Sequence, residues 1–134
     1  MVSRVSADGT VTPIVADLAT QRNHGHHLTA DGRFLFFNNN GLTSSTAPPI
    51  PRVIELQLDE AAGTATKTWE YTFSENATAL GDAERLPNGN ALVTNSFAGE
   101  MQEVDRAGRI VQTFTNTTFG YVDFRTSLYG PPPR

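Results

Sequence analysis

The chain contains no cysteine, which excludes a disulfide framework, a thiolate metal centre and a cysteine nucleophile while leaving the compartment open. Charge is sparse. Ten Lys and Arg stand against 14 Asp and Glu, 18% of the residues, for a net charge of -4. That balance argues against a polybasic nucleic-acid or membrane-surface binder. No window approaches the ~18 consecutive apolar residues of a membrane span. Neither nucleic acid nor membrane is therefore an expected partner. A helical period is missing almost throughout, as are a phosphate-cradling glycine loop, a nucleophile elbow, a zinc-helix motif and a calcium loop. Met1-Val2-Ser3-Arg4 runs directly into a polar, turn-rich stretch, so no secretory peptide is expected here. Aromatics, by contrast, are plentiful. With 8 Phe, 3 Tyr and 1 Trp in 134 residues, the chain is no disordered acidic tail. Its length suits one ordinary domain, or two small ones at most.

What is present is a series of short β-branched or aromatic runs, near 3–6, 10–16, 33–38, 52–58, 64–73, 90–94, 100–104 and 109–114. Gly-containing turns separate them at fairly even spacing. Asp8-Gly9, Asp31-Gly32 and Asn88-Gly89 predict two-residue hairpins, because both central positions of a type I′ turn need positive φ. The expected fold class is all-β, built from antiparallel meanders. The order of the runs also repeats: Thr29-Ala30-Asp31-Gly32-Arg33-Phe34-Leu35 parallels Leu86-Pro87-Asn88-Gly89-Asn90-Ala91-Leu92. This reads as about two and a half blades of a β-propeller. Residues 1–20 would end one blade, 21–75 form a second, 76–116 a third, and 117–134 a closing segment and tail.

The two turn glycines are 57 positions apart (89 − 32), more than the ~40–50 residues of a typical blade. Loops at 43–51 and 76–80 are expected to absorb the excess. A propeller of four-stranded blades needs roughly 4–8 of them to close. The chain is therefore a piece of a longer protein, self-associates, or is a plain sandwich whose hairpins resemble each other by chance.

Four stretches carry a family resemblance. Asn23-His24-Gly25-His26-His27, the Asp31-Gly32 turn and Phe36-Phe37-Asn38-Asn39-Asn40-Gly41 resemble the arylsulfotransferase pattern of Gln-His, a turn, and a strand ending in Phe-Asp-Asn-Gly. Arg52-Val53-Ile54-Glu55-Leu56, with Gly63-Thr64 and Trp69-Glu70-Tyr71, is similar to the strand pair that follows it. Gly81-Asp82, Arg85-Leu86-Pro87-Asn88-Gly89-Asn90 and Leu92-Val93-Thr94 resemble the next blade's signature. Phe119-Gly120-Tyr121, Arg125 and Leu128-Tyr129 resemble the closing segment.

The resemblance covers residues 20–130. It implies a six-bladed propeller that moves a sulfuryl group from an aryl sulfate to another phenol through a covalent histidine, with no nucleotide donor and no cofactor. Its implied partners are small aryl sulfates and phenols, and its implied location is periplasmic or extracellular. The family's histidine lies eight positions before the turn glycine, which selects His24. Asn23 replaces the glutamine, and Asn38 and Asn39 leave no carboxylate where the family has one. The family's other histidines and its sulfate-clamping arginine belong to earlier blades.

The chemistry asks for a neutral imidazole, and histidine's ordinary pKa near ~6.5 supplies one at neutral pH. His24 would be the sulfuryl acceptor. His26, two residues on in an extended segment, would share its face as a helper, and His27 would point away. Arg85 would bind the anion through its guanidinium fork, or else pair with Asp82 or Glu84 as structure. Asn38, Asn39 and Asn40 would donate to substrate oxygens, unless they are ordinary turn residues. The three histidines could equally cap a turn, or His24 and His26 could hold a metal with Asp31. No metal site is expected. Trp69, Phe34, Phe36 and Phe73 are expected to pack between sheets, and Tyr121, Arg125 and Tyr129 receive no chemistry. The rival function is a non-catalytic binding or self-assembling propeller module.

Overall fold

The computed structural model describes residues 2–15, 22–39, 50–74 and 79–125. The expectations for Asn40, residues 43–49, Leu128 and Tyr129 lie outside them. The described residues form ten strands: β1 (Val2–Val5), β2 (Val11–Val15), β3 (Asn23–Leu28), β4 (Phe34–Asn38), β5 (Arg52–Asp59), β6 (Thr64–Thr72), β7 (Asp82–Arg85), β8 (Ala91–Asn95), β9 (Glu100–Val104) and β10 (Ile110–Thr115). Among them there is no helix, hence none long and apolar enough to cross a membrane. The fold is all-β. A β1–β2 hairpin is followed by two four-stranded antiparallel meanders, β3-β4-β5-β6 and β7-β8-β9-β10, each in sequence order.

Four hairpins use one turn, and it is not the expected one. Ser6, Thr29, Leu86 and Asp105 each donate their N–H to the carbonyl four residues on and accept from the glycine three residues on. Only Gly9, Gly32, Gly89 and Gly108 take positive φ; the Asp or Asn before three of them does not. These are three-residue loops, a type I turn closed by a left-handed glycine bulge. The acidic and amide side chains stabilise the right-handed half instead. Asp8 Oδ1 accepts from Thr10 N at 3.0 Å, and Asn88 Oδ1 from Asn90 N at 3.0 Å.

The two meanders pack face to face. Leu35, Phe37, Val53, Trp69 and Phe73 of the first meet Ala83, Ala91, Val93 and Val104 of the second in one buried cluster. The far face of the first sheet buries Phe36, Ile54 and Leu56, so Phe34 and Phe36 lie there rather than between the sheets. Burial on both faces explains why β4 reads as a continuous apolar run and not an alternating one. The sheets come closest where β7 packs against β3 and β4.

Register gives the repeat its physical form. His27 pairs Leu35 as Glu84 pairs Leu92, and Leu28 pairs Phe34 as Arg85 pairs Ala91, each with the 57-residue offset of the turns. Past the next connection the offset falls to 48 (101 − 53), as Phe37 pairs Val53 while Thr94 pairs Met101. The stretch between β4 and β5 holds 13 residues (51 − 38) and that between β8 and β9 holds 4 (99 − 95). This connection alone therefore accounts for the drop in offset.

Candidate functional site

The segment carrying the histidines is itself a strand, the edge strand β3, and it contains a bulge. His24 pairs Phe37 and His27 pairs Leu35, so Gly25 and His26 together oppose one residue of β4. Gly25 is left-handed, φ +53, and a Cβ there would lie 2.1 Å from Asp82 Oδ1 and 2.8 Å from Asp82 Cα. Only glycine lets β3 approach β7 this closely.

The bulge resets the alternation. His24 and His27 share the face toward the second sheet. His26 turns to the opposite face, its ring stacked 5.7 Å from Phe34 and 6.1 Å from Phe36. The expectation that His24 and His26 share a face is thus overturned, and with it their two-ligand metal bite. Among the described residues no group of three or more His, Asp or Glu could hold a metal ion. Partial burial holds the His26 pKa below its ordinary value, with His24 and His27 adding to the effect.

His27 takes the place proposed for His26. Its Nε2 lies 3.2 Å from Asp82 Oδ1, and since a carboxylate only accepts, that nitrogen is the donor. Asp82, 4% exposed, is fixed in turn: Oδ1 accepts from Ala83 N at 2.9 Å and Oδ2 from Val122 N at 3.2 Å. The second N–H is unexpected, because it comes from the closing segment. Residues 118–124 run beside β7 and the end of β8. Phe119 N donates to Ser96 O at 3.2 Å, and Phe124 N to Glu84 Oε2 at 2.7 Å. This course brings the Tyr121 hydroxyl to 3.5 Å from His24 Nδ1.

The remaining expected site residues lie elsewhere. Asn38 pairs Asn23 and Arg52, one register row from His24, and so faces the other side of the sheet. Asn39 is buried, its amide donating to Leu80 O at 2.9 Å and its N–H to Arg22 O at 3.4 Å. Arg22 and Leu80 are the described non-glycine residues with positive φ. Asn39 therefore ties down the two strained corners that lead into β3 and β7.

Arg85 sits three residues beyond Asp82, about 10 Å along the strand. It pairs with neither Asp82 nor Glu84. Its Nη2 and Nε lie 2.7 and 3.1 Å from Glu55 Oε2, and its guanidinium stacks 4.5 Å over Trp69. Glu55 is fully buried and also takes Arg106 Nη1 at 2.8 Å, Arg33 Nη1 at 3.4 Å and Thr68 Oγ1 at 3.1 Å. Burial pushes the Glu55 carboxyl up, but the hydrogen bonds from Arg106 and Arg85 outweigh it and hold the pKa below the ordinary range. Burial lowers the Arg85 pKa against the pull of Glu55. Sequence reasoning missed Glu55, although its pairing with Leu35 and Trp69 puts it on the inward face.

No protein-family model matches this chain, and no curated protein matches it. The geometry therefore stands by itself. At the β3–β7 contact it offers an imidazole facing a phenol, and a second imidazole oriented by a buried carboxylate.

Proposed function

We propose that this chain is part of an arylsulfotransferase-like β-propeller in which His24 accepts the sulfuryl group of an aryl sulfate and passes it to a phenol. The observation that carries the reading is the convergence of His24, the His27–Asp82 pair and Tyr121 where the two meanders meet. A sulfate ester is anionic and repels a carboxylate nucleophile, whereas a neutral imidazole nitrogen can attack its sulfur. His27, held by Asp82, is the group suited to protonate the departing phenolate. Asp82 also supplies a carboxylate from β7, where Asn38 and Asn39 at the end of β4 supply none. Two like meanders in tandem, each packed by its first strand, agree with propeller blades. The family's periplasmic or extracellular setting comes with this reading.

The test is turnover of an aryl sulfate with an added phenol. His24→Ala should abolish transfer, while His26→Ala, altered on the opposite face, should retain it. Unchanged turnover in His24→Ala removes His24 from the mechanism.

A second reading, a self-assembling module, is favoured by β10. All six of its residues are exposed, including Ile110, Val111 and Phe114, and among the described strands β9 is its partner. An uncharged edge of this kind pairs readily with another chain. Native mass measurement across a concentration series separates a monomer from an assembly.

A further inference from the structure

We infer that Tyr121 is itself a sulfuryl acceptor, so that the protein given an aryl sulfate modifies its own closing segment at that phenol. This rests on the sulfuryl-transfer reading of His24. The phenolic oxygen stands 3.5 Å from His24 Nδ1 although the residues are 97 apart in sequence. It is held there by backbone contacts on both sides, not by its own ring, which is 63% exposed. Phe119 N is bonded to Ser96 O, Ser96 Oγ donates to Gly120 O at 3.4 Å, and Val122 N is bonded to Asp82 Oδ2. A sulfuryl group carried on Nδ1 would therefore stand beside this oxygen, and holding the two reacting groups close together is what positioning supplies. Phenols are also the acceptor class of the proposed reaction.

The steps balance without a further reactant. His24 Nδ1 attacks the sulfur of the aryl sulfate, the S–O(aryl) bond breaks, and the departing phenolate takes a proton from His27. The Tyr121 oxygen then attacks the same sulfur while its proton passes back to His27, which gave one up in the first step; the N–S bond breaks and its electron pair returns to Nδ1. The product is an O-sulfated Tyr121 and a neutral His24. Tyr71 provides an internal contrast. Its hydroxyl donates to Gln102 Oε1 between the sheets, half-buried, where no imidazole is in contact with it.

The experiment incubates the full chain with para-nitrophenyl sulfate, with and without an added phenol. It reads nitrophenolate release, sulfated phenol, and base-stable sulfate mapped to individual tyrosines by peptide mass analysis. Wild type should gain one sulfuryl group on the peptide bearing Tyr121. His24→Ala and Tyr121→Phe should each lose that mark. Because the Tyr121 ring is largely in solvent, Tyr121→Phe removes a hydroxyl without disturbing the core. Nitrophenolate release with sulfation of the added phenol but none on Tyr121 overturns self-modification and leaves the transfer reading standing. Sulfate on Tyr71 in place of Tyr121 overturns it as well. No release and no sulfation of any phenol overturns both.

Discussion

Glu55 has no exposure and the Arg85 side chain only 8%, so each offsets much of the other's lost hydration. Replacing Glu55 with Gln keeps the shape and deletes the charge. It strands the Arg85 guanidinium over Trp69 with Arg33 and Arg106 nearby. Removing one partner of a buried pair costs about 3–5 kcal/mol. The lower end applies here, because the Arg33 and Arg106 side chains are 32% and 44% exposed and regain hydration once Glu55 is neutral. A loss of about 3 kcal/mol corresponds to roughly 10 °C in melting temperature for a chain of this size.

Trp69 is the single tryptophan and touches the pair, so its fluorescence in equilibrium urea unfolding reads the effect directly. Glu55→Gln and Arg85→Gln should each be destabilising. The double variant leaves no unpaired charge inside and should recover about 2 kcal/mol relative to the sum of the singles. The folded carboxyl titrates below its unfolded value. Its stabilisation is therefore complete above the unfolded pKa and is lost as pH falls through the folded one, a slope absent from Glu55→Gln. If Glu55→Gln unfolds within about 0.5 kcal/mol of wild type, or the single losses simply add, Glu55 does not compensate Arg85 and the reasoning fails.

Gly25→Ala should cost about 3 kcal/mol or more, since a left-handed φ and overpacking against Asp82 act together. Gly32→Ala, also left-handed but with nothing within 4 Å of the new Cβ, should cost only about 1 kcal/mol; equal losses in urea unfolding would refute the close approach of β3 to β7. His26 binds its proton less readily when folded. Stability should therefore fall as pH drops through the ordinary histidine value near 6.5. His26→Gln should flatten that slope in a series of melts between about pH 5 and 8, and an unchanged slope would acquit His26. On the self-assembly reading, Val111→Lys puts a charge on the exposed β10 strand. It should shift native mass toward monomer, and assembly that survives it does not run through β10.

How far the residues announced the structure depends on whether the cause is local. Leu35-Phe36-Phe37 declares a central strand because burial on both faces needs no alternation. The Asp-Gly and Asn-Gly pairs mark where the chain reverses but not how, as the same dipeptides serve a type I′ turn and a type I turn with a glycine bulge. β3 was legible only as the approach to a strand. Asn23-His24-Gly25-His26-His27-Leu28 has little β propensity of its own, and it is a strand because β4 presents an edge to pair. The one local signal of the bulge was Gly25, and counting alternation straight through it put His26 where His27 belongs. The contacts of Tyr121 and Glu55 could not be read, since their partners His24 and Arg85 lie 97 and 30 positions away.

Those two long-range features are linked by one short strand. β7 carries Arg85 at one end, tied to Glu55 and stacked on Trp69, and Asp82 at the other, closed against Gly25 and bonded to His27. With the whole strand only four residues long, the depth at which Arg85 seats in the first sheet sets how closely Asp82 meets β3. On the proposed sulfuryl-transfer function, Glu55 would be a positioning residue for the histidines it never touches. Glu55→Gln should therefore weaken aryl sulfate transfer through kcat with little change in KM. If turnover stays at the wild-type level in urea-free buffer, the two ends of β7 are independent.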